Sequence, residues 1–267
     1  MYATVNGARL AYRERGLGQP VALLLIHGFP LDCRMWDAQL AGLAGQARVI
    51  APDLRGFGRS AAALSGSLTM DQHADDLAAL LDHLSIGRAV VAGLSMGGYI
   101  AFAFWRRHRA RVQALVLADT RAEADSPPAQ ANRDASAAKV RAAGVAAIAG
   151  DMLPRLLAPA SVANPRLAER MRTMMADQPA ETIIAALGGL RDRPDSRPTL
   201  PAITVPTLVL VGAHDALTPP ADAVTMAAAI PDARLVIIPA AGHMSPLENP
   251  RAVNAVLRDF LRAIEAK

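Results

Sequence analysis

Ser95 lies within Ala92-Gly93-Leu94-Ser95-Met96-Gly97-Gly98, after a strand-like apolar run and before a helix-like one. In that context Gly-x-Ser-x-Gly is a sharp strand-to-helix turn that holds its serine in a strained backbone conformation. The residues two before and two after the serine must be small for the turn to close, and Gly93 and Gly97 meet that requirement. Gly98 lets the new helix approach the sheet. The hydroxyl is then exposed at a helix N-terminus, where backbone N–H groups favour developing negative charge.

A serine hydroxyl is a poor nucleophile at neutral pH and needs a base within hydrogen-bond reach, usually a histidine oriented by a carboxylate. Of six histidines, His243 follows the last strand pattern and precedes the final helix, so it hangs on a loop at the same sheet edge as Ser95. His73 and His83 fall in a helix pattern, and His108 falls in the charged end of another. His27 belongs to a loop motif described next. His214 neighbours a candidate acid but does not stand where the base is expected. Asp215 ends Val211-Gly212-Ala213-His214-Asp215, on the loop after the penultimate strand. The rival acid is Asp119, which follows the strand Val112 to Leu117 and reaches the same edge. Asp53 and Glu248 read as structural.

Attack on an acyl carbonyl creates an oxyanion, which two preorganised backbone donors stabilise by several kcal/mol. Met96 supplies one N–H by its position just after the nucleophile. The other is expected from Phe29 in His27-Gly28-Phe29-Pro30, where Gly28 lets the loop pass close to the site and His27 holds its shape.

The elements that must position these groups follow from the apolar pattern. Asn6-Gly7 is a hairpin turn between Tyr2 to Val5 and Ala8 to Glu14. Buried-strand runs then recur at Val21 to Ile26, Val49 to Ala51, Ala89 to Ala92, Val112 to Leu117, Thr207 to Val211 and Leu235 to Ile238, a sheet of about eight strands. Helical periodicity covers Asp71 to Leu84, Gly98 to Arg107 and Pro250 to Ile264, the last with Val253, Val256, Leu257, Phe260 and Leu261 on one face. The expected fold is α/β, a mostly parallel sheet with helices on both faces. Residues 121–198 hold no convincing strand and several Pro-punctuated helical segments, so they read as a helical cap inserted into a core of residues 1–120 and 199–267. Met152, Leu156 and Met175 are expected to face a substrate cavity beneath that cap.

Composition narrows the partners. The chain has 267 residues, 52% of them hydrophobic, and a net charge of +4. Its 28 basic residues are spread along the chain, which reads as solvated surface and excludes a nucleic-acid footprint. Only Lys139 and Lys267 among them are lysines, a bias that fits a GC-rich bacterial genome. The single Cys33 cannot form an internal disulfide, and the start of the chain has no secretory pattern, so a cytoplasmic protein with no membrane partner is expected. Glycines and a serine interrupt the apolar stretch Ala89 to Trp105 and argue against a membrane span. No cluster has metal-ligand spacing, and no cofactor is implied.

His27-Gly28-Phe29-Pro30, the segment Pro52 to Ser60, Gly93 to Gly98, Gly212 to Asp215 and Gly242 to Pro250 together resemble the α/β-hydrolase family over nearly the whole chain. The order Ser95, Asp215, His243 is that family's order. The sequence is similar to bacterial carboxylesterases, enol-lactonases and N-acyl-homoserine lactonases. That resemblance implies hydrolysis of an ester or lactone through Ser95, with an uncharged acyl or aryl substrate suggested by the apolar cap. Dehalogenases and epoxide hydrolases of the family carry an aspartate at the position of Ser95, which disfavours those chemistries. Cofactor-free perhydrolases share the pattern, and Pro30 beside the oxyanion residue leaves that activity open. A ligand-receptor use of the fold is the alternative outside enzymes.

Overall fold

The computed structural model describes residues 1–60, 64 and 66–266. Its strands are β1 (Tyr2–Val5), β2 (Ala8–Arg15), β3 (Ala22–Ile26), β4 (Arg48–Pro52), β5 (Ala89–Leu94), β6 (Val112–Ala118), β7 (Thr207–Gly212) and β8 (Ala233–Ile238). They form one sheet in the order β1-β2-β4-β3-β5-β6-β7-β8. The β1–β2 and β2–β4 pairs are antiparallel and the rest parallel. The eight expected strands are all present, each within two residues of the range read from the sequence.

Alternation along each strand sends side chains to opposite faces of the sheet. Leu24, Ile26, Val91, Leu117 and Val211 pack on one face, against helices α2 (Met70–His83) and α3 (Met96–His108). Leu23, Leu25, Val90, Val116 and Leu210 pack on the other, with α1 (Asp37–Gly42) and α11 (Pro250–Glu265). Burial on both faces is why these strands read as unbroken apolar runs. In α11, Val253, Leu257, Phe260, Leu261 and Ile264 form the buried stripe, and the Asn249 side chain caps its start by accepting from Ala252 N–H.

Five helices lie between β6 and β7: α4 (Pro127–Ala143), α5 (Ala146–Leu156), α6 (Pro159–Val162), α7 (Pro165–Ala176) and α8 (Ala180–Arg191). Proline opens α4, α6 and α7 at positions where its missing N–H costs nothing. After β7 come α9 (Pro220–Ala229) and, beyond β8, the short α10 (Ser245–Glu248). Gln178, between α7 and α8, ties these helices to the loops after β3 and β4, donating to Asp32 Oδ2 at 2.9 Å while its carbonyl accepts from Gly58 N–H at 2.9 Å. Because β3, β5, β6, β7 and β8 run parallel, the loops that follow them meet at one sheet edge, where ligands of open α/β sheets bind. Among the described residues no helix is long and apolar enough to cross a membrane.

Candidate active site

Ser95 stands alone between the end of β5 and the start of α3, at φ 55° and ψ −114°. Such a backbone is costly for any residue but glycine and must be held by its surroundings. Ser95 N–H donates to Ala118 O at 2.9 Å, while Gly98 N–H and the Thr120 hydroxyl donate to Ser95 O at 2.9 and 2.8 Å. The turn also needs two absent side chains. A Cβ on Gly93 would lie 2.0 Å from Gly97 O, and one on Gly97 would lie 2.3 Å from Ile26 O.

The loops after β7 and β8 bring Asp215 to His243. His243 Nδ1 lies 2.8 Å from Asp215 Oδ2, so Nδ1–H donates to the carboxylate and Nε2 is left as the basic ring nitrogen. The carboxylate is fixed by three further donors: Leu217 and Thr218 N–H on Oδ1 at 2.8 and 2.9 Å, and the Thr218 hydroxyl on Oδ2 at 2.6 Å. Burial works to raise the Asp215 pKa, but the hydrogen bonds from His243 and Thr218 outweigh it and hold the carboxyl below its ordinary value. Both side chains are almost wholly buried.

Asp119 has a different set of partners. Its carboxyl accepts from Gly212 N–H at 2.8 Å and from the Ser245 hydroxyl, so it joins the end of β7 to the loop that follows His243. Full burial, and next the charge of Asp215, push its pKa well above its ordinary value. Glu248 also serves the histidine loop. It accepts from Gly242 N–H at 2.8 Å and Met244 N–H at 3.1 Å, on either side of His243, and from Ala158 N–H of the insertion at 2.7 Å.

The loop after β3 passes beside Ser95, where a Cβ on Gly28 would lie 3.5 Å from Ser95 Cβ and 2.9 Å from Leu94 Cδ2. His27 is fully buried and structural. Its Nδ1 faces Gly28 O at 3.0 Å, and its Nε2 accepts from Leu54 N–H at 3.0 Å. Phe29 and Met96 both border the cavity that exposes Ser95. Among the described residues neither of their N–H groups is taken by a backbone acceptor.

That cavity is about 530 Å³ and is bordered by Ser95, His243 and Thr218. Met152 and Leu156 line it, with Tyr99, Ile148, Leu187 and Leu190. Met175 does not. It is fully buried with Met171 and Met174 on the apolar side of α7, which faces the interior; methionine at helical spacing serves packing there. The sequence reading also missed the polar wall that α4 supplies through Asn132, Arg133, Ser136 and Lys139, and it missed Thr218, whose only sequence mark is a hydroxyl three residues after Asp215.

Two other places hold clustered charge. Asp32, Cys33 and Asp53 bring possible ligand atoms within 4.8 Å of one another. Both carboxylates there are already engaged, Asp53 by Cys33 and Arg59 N–H and Asp32 by Arg34 and Gln178, so they serve as loop struts. A wider groove of about 730 Å³ runs beside α7 and borders neither Ser95 nor His243. Its cations are largely paired, Arg34 with Asp177, Arg170 with Asp37 and Arg172 with Glu169.

The family model for the α/β hydrolase fold matches residues 21–250. The chain belongs to the α/β-hydrolase family. It is similar to the structure of a thermophilic esterase from Thermogutta terrifontis, with 45% identity, a TM-score of 0.95 and coverage of 99% of this chain and 98% of that one. It is similar to the enol-lactonase from Burkholderia xenovorans, with 34% identity, a TM-score of 0.91 and coverage of 98% and 100%. By sequence it is 30% identical to 3-oxoadipate enol-lactonase 2 of Acinetobacter baylyi, over 96% of each chain.

Proposed function

We propose that this α/β-hydrolase cleaves carboxylic esters or lactones through an acyl-enzyme on Ser95. Ser95 Oγ attacks the carbonyl carbon while its proton passes to His243 Nε2, and the Phe29 and Met96 N–H groups receive the oxyanion. Collapse of the tetrahedral intermediate breaks the ester C–O bond, and the departing alkoxide takes the proton from His243. In a lactone that alcohol stays tethered to the acyl group. Water then attacks the acyl-enzyme with His243 again as base, which releases the acid and restores Ser95. Asp215 keeps the imidazole in the tautomer that leaves Nε2 basic.

The observation that carries this reading is the Asp215–His243 hydrogen bond beside a cavity that also exposes the strained Ser95. Residues 121–198 act as a cap over a core of residues 1–120 and 199–267, with Met152 and Leu156 against the substrate. The reading places the reaction in the cytoplasm, without cofactor, nucleic acid or membrane; the one buried cysteine and the dispersed basic residues support it. The relatives named for esterase and enol-lactonase activity support both substrate types.

Intact-mass labelling with a fluorophosphonate, comparing wild type with Ser95→Ala, tests the nucleophile. Hydrolysis of a short 4-nitrophenyl ester and of a lactone tests the carbonyl class. Labelling and turnover that both vanish in Ser95→Ala are the expected result. A folded wild type that neither labels nor turns over would sink the proposal in favour of a ligand-binding use of the fold.

A further inference from the structure

Phe29 stands in a short stretch of chain that is closed on itself. Gly28 O accepts from Leu31 N–H at 3.0 Å, and Asp32 O accepts from Met35 N–H at 3.1 Å. Asp32 Oδ1 accepts from Arg34 N–H at 2.9 Å, and Gly28 N–H donates to Met35 Sδ at 3.4 Å. The Arg34 guanidinium adds a second hold on the Asp32 carboxylate. Residues 28–35 are therefore braced as one piece. Gly28 C=O and Phe29 N–H belong to one planar peptide and point in opposite directions, so the seating of that piece decides where the Phe29 N–H lies relative to Ser95.

Bonds within the piece cannot seat it; bonds from outside do. The neighbouring strands supply two anchors. Asp53 Oδ1 accepts from Cys33 N–H at 2.9 Å, and His27, held by Leu54 N–H, reaches Gly28 O. A third anchor comes from the junction of α7 and α8. Gln178 is 3% exposed there, and its amide is fully used. Nε2 donates to Asp32 Oδ2 at 2.9 Å and to Met174 O at 2.8 Å, while Oε1 accepts from Gly58 N–H at 2.9 Å. The adjoining Arg34–Asp177 pair is partly exposed and adds little. A buried amide with every bond made selects one geometry where an apolar side chain would only fill space. Neither Gln178 nor Asp32 borders the cavity, so this contact acts without touching the substrate.

Resting on the Ser95 reading, we propose that Gln178 is a positioning residue for the reaction: through Asp32 it seats the segment that carries the Phe29 N–H, so the junction of α7 and α8 helps to set how well the oxyanion is held. Its loss is then felt in the transition state, where that N–H is used, and not in the binding of the ester.

The test measures kcat and KM on a short 4-nitrophenyl ester, and Ki for an alkyl trifluoromethyl ketone of matching length, in wild type, Gln178→Met and Thr182→Val. Ser95 Oγ adds to the ketone carbon and its proton passes to His243, which leaves a hemiketal oxyanion in the place of the transition state's. Thr182→Val is the control for loosened packing: it removes a buried bond from α8 to Gly56 O at 2.9 Å, on the loop after β4, and leaves the Asp32 contact in place. Gln178→Met is expected to lower kcat and raise Ki by about tenfold each, with KM within about twofold; outright loss of an oxyanion donor costs about 10²- to 10³-fold, and a displaced donor costs less. Thr182→Val is expected to keep kcat and Ki near wild type. Gln178→Glu keeps an acceptor for Gly58 but loses the donor to Asp32, and it reads the same contact if Gln178→Met does not fold. Unchanged kcat and Ki, a loss confined to KM, or an equal effect of Thr182→Val overturns the inference, while Ser95-dependent fluorophosphonate labelling leaves the serine mechanism standing. Absence of turnover together with absence of labelling in wild type overturns both.

Discussion

Two buried aspartates stand behind His243, and their surroundings drive them in opposite directions. Asp215 has donors enough to stay ionised, whereas Asp119 is raised by burial and by the neighbouring charge. Only Asp215 touches the imidazole, so in the proposed reaction it is the one placed to stabilise the imidazolium that forms during attack. Asp215→Asn is therefore expected to lower kcat by about 10³- to 10⁴-fold, as loss of the tautomer-fixing carboxylate does in serine triads. Asp119→Asn keeps the shape and both hydrogen bonds and leaves kcat within about tenfold. Steady-state kinetics on one ester decides between them, and the reverse ranking would make Asp119 the acid. In the sequence the two were distinguishable by motif order alone. The decisive difference lies in donors such as Thr218 and Ser245, whose partners are set by the fold.

His73 is a residue the chemistry does not use. It is fully buried in α2, and neither ring nitrogen has a hydrogen-bond partner. Burial, then the nearby His27 and Arg55, lower its pKa to about 3. The unfolded chain takes up a proton at this position below about pH 6.5, but the folded one does not until about pH 3. Stability therefore falls as pH falls through that window. At pH 5 the loss from this group is about 2 kcal/mol. Urea unfolding at pH 7.5 and pH 5 should show a smaller acid-induced loss in His73→Leu than in wild type, and equal losses would show that the imidazole is hydrated.

At the scale of elements, the loop that carries His243 is held by carboxylates at both ends rather than by apolar packing alone. Glu248 is the more exposed to test, because one side chain fixes the backbone on both flanks of His243 and also reaches Ala158 at the start of α6. Glutamine keeps one acceptor oxygen but turns an amide donor toward an N–H. Glu248→Gln is expected to cost about 2 kcal/mol of stability and to lower kcat severalfold with little change in KM. An unchanged unfolding midpoint with unchanged kcat would show the three bonds to be idle. The elbow allows no compromise: Gly97→Ala drives a Cβ into Ile26 O, and loss of folded protein or of fluorophosphonate labelling is the expected outcome, checked by circular dichroism and intact mass.

The elements differed in how plainly they could be read. The parallel strands were legible because burial on both faces leaves an unbroken apolar run, and α11 because its buried stripe is wide and regular. Helices α1 and α9 were not read as helices. The first has six residues, and the second is alanine-rich and buries only Ala223 and Met226, so neither leaves a clear period. The lining of the cavity was the least legible part. Whether Met175 or Met152 lines the cavity depends on how α5 and α7 rotate against their neighbours.

For the whole molecule, helices α4 to α8 between β6 and β7 divide the residues proposed for the chemistry between two stretches of chain. Ser95, Phe29 and Met96 precede it, and Asp215 and His243 follow it, on strands added outward in the order β5, β6, β7, β8. A chain is made from its N-terminus, but a domain generally folds as a unit. In the proposed reaction the Ser95 segment is thus synthesised well before the base that activates it, and the site is complete only once the last strand and its loop have been added. A product of premature termination anywhere before His243 would be inert toward esters, however well its first strands had paired.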